Sequence, residues 1–203
     1  MMTTAKYSMS FTTGALFYHE SVKLADLYMS TMSWDNVRNN VIIGNIIQAR
    51  TINTLKRVTN EIISRLKMLT DQEIILFNDT DYADRKYILW LAICRRYAFI
   101  ADFAVDVVYD NFISLKISVT YDDYNTFFNR KNEWNNELDN IASSTKIKLR
   151  QTLFKMMQEA NLLDGNNTII PVIPSTVFRV LLGEINRKET MFFPFSEQTR
   201  RAG

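Results

Sequence analysis

The chain has 203 residues, the length of one domain or of a domain with a small appendage. Hydrophobic residues make up 47% and charged residues 23%, as in ordinary soluble proteins, and the formal net charge is +2. One cysteine and one histidine exclude a disulfide framework and a zinc site built from several Cys and His ligands, and we expect a reducing, cytoplasmic location.

Three helices are predicted in the first third of the chain, as expected when few glycines and prolines interrupt it. The first spans residues 13–31 and the second 34–43, with Ser33 as the N-cap of the second. The third follows Thr51 and carries apolar residues at three- and four-residue spacings. These residues are Ile52, Leu55, Val58, Ile62, Leu66 and Leu69.

The most hydrophobic helix is predicted over residues 82–109. Residues 87–94 are all apolar, so we expect this helix to be buried on every side and to organise the rest of the fold. Asp81 and Asp84 cap it. A short helix precedes it and begins at a capping box formed by Thr70 and Glu73.

Two adjacent arginines, Arg95 and Arg96, interrupt the apolar surface of this helix. A guanidinium is too costly to bury without a partner. We expect a buried ion pair between Arg95 and Asp102, which lies seven residues later on the same helical face. The alternative is that the arginines reach the surface and meet an anion.

Two further helices are predicted in the C-terminal half. The first, over 121–131, is capped by Thr120 and Asp123, and a loop anchored by Trp134 follows it. The second, over 145–161, is capped by Ser143 or Ser144. The first helix is expected to bury its aromatic residues Tyr124, Phe127 and Phe128.

A small β-hairpin or wing is predicted near the C-terminus. Residues 168–173 and 191–195 are candidate strands around a short helix opened by Pro174-Ser175, and residues 115–119 form a short strand or an extended connector. This order is compatible with a winged helix-turn-helix. We predict an N-terminal helical region, 1–112, and a C-terminal region, 113–203, packed as one compact unit.

The helix predicted over 145–161 is basic on two sides. Lys146 and Arg150 project into the middle of its apolar arc, and Lys148 and Gln151 point outward. The two inward cations need acidic partners or must emerge towards an anion. We expect a structural pairing for Arg150 and exposure for Lys146. The apolar arc contains Ile147, Leu149, Leu153, Phe154, Met156, Met157 and Ala160.

Charge is distributed in blocks of opposite sign. Residues 50–69 hold five basic residues against one acidic residue, a local charge of +4. Residues 102–139 hold eight acidic residues against three basic ones, a local charge of −5. Such blocks indicate one basic and one acidic face, or solvated surfaces that neutralise each other.

Catalytic motifs are scarce. A glycine-rich phosphate loop, a GxSxG elbow and an HExxH motif are all missing from the sequence. A Cys94–His19 nucleophile pair is formally possible, but Cys94 lies in the most apolar stretch and is more typical of a small core residue. We expect no enzymatic activity, cofactor, metal or small-molecule substrate. The longest apolar run is also shorter than the roughly 20 residues that cross a membrane.

Four segments, in this order and spacing, resemble the BrxA family of BREX bacteriophage-exclusion systems. They are Ser10-Phe11-Thr12-Thr13-Gly14, Gln48-Ala49-Arg50-Thr51, residues 89–97 (LWLAICRRY) and residues 148–154 (KLRQTLF). The resemblance covers nearly the whole chain. The family has also been labelled an inner-membrane protein, which this sequence contradicts.

The resemblance implies a compact, mostly helical bundle similar to the antitermination factor NusB. It also implies a non-catalytic protein that binds double-stranded DNA beside other BREX proteins, which include a methyltransferase, an ATPase and a phosphatase-like subunit. An alternative is an assembly subunit that docks those proteins without binding DNA, as the modest net charge favours. The candidate nucleic-acid-binding residues, chosen by charge and by position in the matching segments, are Arg50, Lys56, Arg57, Lys146, Lys148 and Arg150.

Overall fold

The computed structural model describes residues 7–12 and 14–195, and most of these residues are helical. This confirms the expected mainly α fold. A π-helix, Ala104–Tyr109, joins α6 to α7. In chain order the α-helices are α1 (Tyr18–Thr31), α2 (Trp34–Gly44), α3 (Ile52–Leu66), α4 (Asp71–Asp79), α5 (Tyr82–Arg96), α6 (Ala98–Phe103), α7 (Asp110–Ile113), α8 (Tyr121–Asn132), α9 (Ser143–Glu159), α10 (Thr176–Glu184) and α11 (Arg187–Thr190).

Side-chain caps begin several helices at the predicted residues. Ser33 accepts a hydrogen bond from the Asn36 backbone N–H at the start of α2, and Asp81 accepts one from Asp84 at the start of α5. Reciprocal capping boxes open α4 at Thr70 and α8 at Thr120. These motifs satisfy backbone donors within three residues, so the local sequence determines them.

The ends of α1 and α3 differ from the prediction. Helix α1 begins at Tyr18, five residues later than expected, because Phe17 has a φ of 57° and cannot continue a right-handed helix. Residue 13, the predicted start, lies outside the described residues. Helix α3 ends at Leu66, although Leu69 beyond it is still buried.

Helix α5 forms the centre of the core, as predicted. Residues 86–94 are all buried, and α3, α4, α6 and α9 pack around the helix. The indole N–H of Trp90 donates to the Phe192 carbonyl over 2.9 Å, which ties the C-terminal segment to this core. Among the helices described, none is both long and apolar enough to cross a membrane.

The long helix predicted over 82–109 is broken at Tyr97. This residue has a φ of −125° and a ψ of 95°, so the helical ladder stops and restarts at Ala98. Its ring is fully buried, and its hydroxyl donates to Glu61 Oε1 over 2.6 Å. The extended backbone thereby places a buried aromatic side chain against α3.

The predicted C-terminal hairpin does not form in the described part of the chain. Only isolated antiparallel bridges occur there, Ser118 with Thr168 and Leu163 with Ile169. A single backbone hydrogen bond, from Val172 N–H to the Pro194 carbonyl, links the two segments predicted as strands. Phe192 and Phe193 are both buried, and successive buried side chains do not fit the alternation of a strand with one solvated face.

The loop after α8 is anchored differently from the prediction. Trp134 is 76% exposed and does not anchor it. Leu138 and Asn135 are buried instead, and the Asn135 amide donates to the Lys131 carbonyl over 2.6 Å. The division at residues 112 and 113 and the helix-turn-helix character of the C-terminal region stay predictions.

Candidate nucleic-acid interface

Helix α9 begins without a side-chain cap. Its N-cap residue is Ala142, and neither Ser143 nor Ser144, the predicted caps, fills that role. Both serines are exposed. The first backbone N–H groups of a helix lack intrahelical acceptors and carry partial positive charge, so this end of α9 favours an anion.

Lys146 and Arg150 follow one turn apart in α9 and lie against α8. The Lys146 ammonium donates to Asn129 Oδ1 over 2.9 Å, and Arg150 Nη1 donates to Asn125 Oδ1 over 3.2 Å. Asn125 and Asn129 are also one turn apart, and the pairing of 146 with 129 and 150 with 125 shows that the helices run antiparallel.

Aromatic rings of α8 support both cations. The Lys146 ammonium lies 4.1 Å from the Phe128 ring centroid, and the Arg150 guanidinium carbon lies 4.3 Å from the Tyr121 centroid. The negative face of an aromatic ring attracts a cation without cancelling its charge. Rings and neutral amides therefore hold these side chains in place and leave their full positive charge.

We name Lys146, Lys148 and Arg150 the α9 cations. Among the residues described, no carboxylate lies within ion-pair distance of any of them. Burial, and then the neighbouring Arg150 charge, lower the pKa of Lys146. The pairing expected for Arg150 is thus with an asparagine and a ring, and Lys146 is half-buried where exposure was expected.

The other residues of α9 lie mostly where the sequence predicts them. Most of the predicted apolar arc is buried, but Ile147 is 47% exposed. Lys148 and Gln151 are exposed, as predicted. Lys155, one further turn along, lies 3.8 Å from Glu159 and is thereby partly neutralised.

The other candidates are Lys56 and Arg57 of α3 and Arg50, which lies two residues before the start of this helix; the three are named here the α3 cations. All three are exposed, and no ion pair or hydrogen bond engages them within residues 7–12 and 14–195. Beside them, Arg38 of α2 donates to Asn60 Oδ1 over 3.0 Å and pairs with Asp35 at 3.1 Å. The sequence gives no local signal for Arg38, because only packing brings α2 beside α3.

The α3 and α9 cations are not in contact. Segment 14–17 joins the C-terminal ends of both helices: Arg65 donates to the Ala15 carbonyl, and Glu159 accepts from the Leu16 N–H. The cations lie towards the opposite ends: Lys56 and Arg57 are roughly 12–14 Å along α3 from these contacts, and the α9 cations roughly 13–20 Å along α9. A single surface containing both groups stays a prediction.

Comparison with known proteins places most of the chain in one family. The family model for BrxA matches residues 5–186. The chain belongs to the BrxA family. The matched residues include the α3 cations, the α9 cations and the buried helix α5.

Two relatives in the BrxA family carry the description "BREX protein BrxA". The protein from Bacillus cereus (strain H3081.97) is 26% identical over 157 residues, 76% of this chain and 78% of the relative. The protein from Escherichia coli O9:H4 (strain HS) is 26% identical over 151 residues, 74% of this chain and 71% of the relative.

A solved structure has the same fold. An uncharacterized protein from Magnetospirillum magneticum superposes with a TM-score of 0.79 at 17% identity, covering 94% of this chain and 98% of that one. At this identity the likeness concerns the fold alone. The similarity to NusB expected of BrxA proteins stays a prediction.

Arg95 in this BrxA-family chain is paired, but with different residues from the one predicted. Its guanidinium contacts Glu73 at 2.6 Å and Glu189 at 2.7 Å. Burial alone would lower the pKa of Arg95, but hydrogen bonds to these two carboxylates raise it above its ordinary value. The break at Tyr97 changes the helical phase, so Asp102 no longer shares a face with Arg95.

Asp102 instead lies in a separate polar cluster. It accepts a hydrogen bond from the Tyr7 hydroxyl at 2.7 Å and pairs with Lys131 at 3.1 Å and Lys188 at 3.3 Å. Arg96 has no carboxylate partner in the described chain; its Nε lies 3.4 Å from Ser64 Oγ, and its guanidinium lies 5.1 Å from the Tyr97 ring centroid.

The Cys94–His19 pair is not assembled. Cys94 is 1% exposed within α5, and burial raises the pKa of its thiol well above the ordinary value, with the charge of Glu189 adding to the effect. His19 is exposed on α1. A buried neutral thiol is a poor nucleophile. In the part of the chain that the structure describes, no cluster of His, Cys, Asp and Glu could hold a metal ion.

Proposed function

We propose that this BrxA-family chain is a non-catalytic, DNA-binding component of a BREX phage-defence system, acting in the cytoplasm. It grips the backbone of double-stranded DNA through a basic surface. The observation that carries the proposal is that Lys146 and Arg150 are fixed on α8 by rings and asparagines, with no carboxylate within ion-pair distance among the described residues, and that Lys148 is exposed between them.

The positions of Lys146 and Arg150 suit an external phosphate as their anionic partner better than a carboxylate of the same chain. A structural arginine or lysine is normally neutralised by an acidic side chain, as Arg95 is. Lys146 and Arg150 keep their charge and are oriented before any ligand arrives, so little side-chain entropy is lost on binding. The uncapped N-terminus of α9 adds backbone N–H donors beside them.

Phosphate contacts of this kind position a protein on DNA without reading its sequence. Affinity for different duplexes is therefore similar, and it falls with salt as counterions are released. The α3 cations are the second part of the proposed surface because they are exposed and unengaged. Since the predicted wing does not form, the proposal rests on phosphate contacts at the start of α9 and not on a winged helix.

The proposal is tested by removing positive charge from α9 while keeping a polar side chain that is only one bond shorter. The double variant Lys146→Gln and Lys148→Gln is expected to bind a labelled random-sequence duplex at least about tenfold more weakly at low salt. Its plot of log affinity against log salt should be shallower by about two, since each phosphate contact contributes about 0.9 to the slope.

Lys155→Gln is the matched control for this experiment. It removes the same charge from the same helix, but at a residue already paired with Glu159. If the double variant and the control bind with the same affinity and salt slope, the α9 cations do not contact DNA. Equal thermal unfolding of both variants and the wild type ensures that binding, and not folding, is compared.

A further inference from the structure

A groove of about 410 Å³ lies between α4 and α10. Its apolar lining comes from Leu76 of α4 and from Val177, Val180 and Leu181 of α10. Its carboxylates are Glu73 and Glu184, and its lining contains no lysine or arginine. The groove is distinct from both the α3 and the α9 cations.

Helix α10 is apolar on two sides, although only one side faces the core. Phe178, Leu181 and Leu182 are buried, whereas Val177 is 46% and Val180 61% exposed. These valines are three residues apart, so they share one face and line the same groove. Together with Leu76 of α4 they leave a small apolar face open to side chains of a partner.

The groove has one acidic end. Asp84, which follows α4, accepts a hydrogen bond from Ser175 at the start of α10. Arg95 connects Glu73, in the first turn of α4, to Glu189, beyond the end of α10. The two helices therefore run antiparallel, and Glu73 and Glu184 lie at the same end, together with the last carbonyl groups of α10.

This end keeps excess negative charge. Glu73 and Glu189 share the single guanidinium of Arg95, and the exposed carboxylate of Glu184 adds another negative charge. The partial negative charge at the C-terminal end of α10 lies beside the partial positive charge at the N-terminal end of α4, so the carboxylates supply the excess negative charge. A cation on a bound partner would find complementary potential here.

We propose that this groove binds an amphipathic helix of a partner protein, with small apolar side chains against Val177 and Val180 and a lysine or arginine beside Glu184. A helix is the fitting occupant because the groove lies between two antiparallel helices and offers apolar side chains, and not the unpaired backbone groups of a sheet edge that an added strand would need. Binding of a partner here goes beyond the proposed grip on DNA and is independent of it.

The proposal is tested by photo-crosslinking the full chain in the cells that encode it. The photoreactive residue p-benzoylphenylalanine replaces Val180, and the control carries it in place of Trp134, which is 76% exposed and absent from the groove lining. Cross-linked residues are then identified by mass spectrometry. The expected result is one partner segment, helical in pattern, with apolar residues at three- and four-residue spacings and a lysine or arginine.

Charge reversal supplies the second arm of the test. Glu184→Lys in the cross-linking chain is expected to lower the yield about tenfold, and reversing the partner's basic residue should restore it. Yields equal to those of the Trp134 control, a cross-link to a second copy of this chain, or a yield unchanged by Glu184→Lys would overturn the proposal. Unaltered duplex binding by the Glu184→Lys variant separates this outcome from a failure of the DNA-binding proposal.

Discussion

At the scale of single residues, Arg95 ties three helices of the fold together. It joins α5, α4 and the short helix α11 through Glu73 and Glu189, and also donates to the Met68 carbonyl over 3.1 Å. A buried pairing for Arg95 could be predicted from the sequence, since its neighbours are apolar. The partner could not, because the prediction assumed an unbroken helix through Tyr97.

Loss of this side chain should destabilise the protein strongly. We expect Arg95→Ala to lower the free energy of unfolding by about 3 kcal/mol, since it leaves Glu73 and Glu189 facing each other without a cation. Arg96→Ala is the control: Arg96 lacks a carboxylate partner among the described residues and should cost about 1 kcal/mol or less. Urea unfolding measures both values, and equal losses would contradict the assigned role of Arg95.

At the scale of helices, local sequence determined the capped starts, and tertiary packing determined the rest. Ser33, Thr70, Asp81 and Thr120 act within three residues of themselves, so their motifs could be recognised. The strands predicted over 168–173 and 191–195 do not form; in the second segment Phe192 and Phe193 are both buried, which does not fit a strand with one solvated face.

The candidate site could be predicted only in part, because local sequence shows the spacing of residues within a helix but not which helices pack together. The spacing of Lys146 and Arg150 in α9 is visible in the sequence. The residues that hold them, Asn125 and Asn129 of α8, have the same spacing, but only the folded chain shows that the two helices pair.

The uncapped start of α9 leads to opposite expectations for stability and for binding. Ala142→Asp supplies an N-cap carboxylate, and we expect it to raise the free energy of unfolding by about 1 kcal/mol. The same carboxylate should repel phosphate and lower affinity for a duplex several-fold. Ala142→Ser, a neutral cap, should stabilise the chain with little loss of affinity. Unchanged duplex binding by the Ala142→Asp chain would argue against a phosphate at this helix end.

At the scale of the whole molecule, the buried helix α5 supports surfaces of different character. Cations that pair with no carboxylate among the described residues lie along α3 and α9, whereas the α4 and α10 groove is apolar with an acidic end. This separation would allow one chain to hold DNA and a partner protein together. If the α3 cations contact the same duplex, their replacement by alanine lowers the salt slope by about one per lost contact.

The measurement that tests the central claim most directly is binding of the purified wild-type chain to a labelled duplex of random sequence over a series of salt concentrations. We expect tight binding at low salt and a log-linear decrease in affinity as salt rises, with a slope that reports the number of phosphates contacted. No binding even at the lowest salt would contradict the claim. The α9 cations would then need another anion, and the protein would be an assembly subunit.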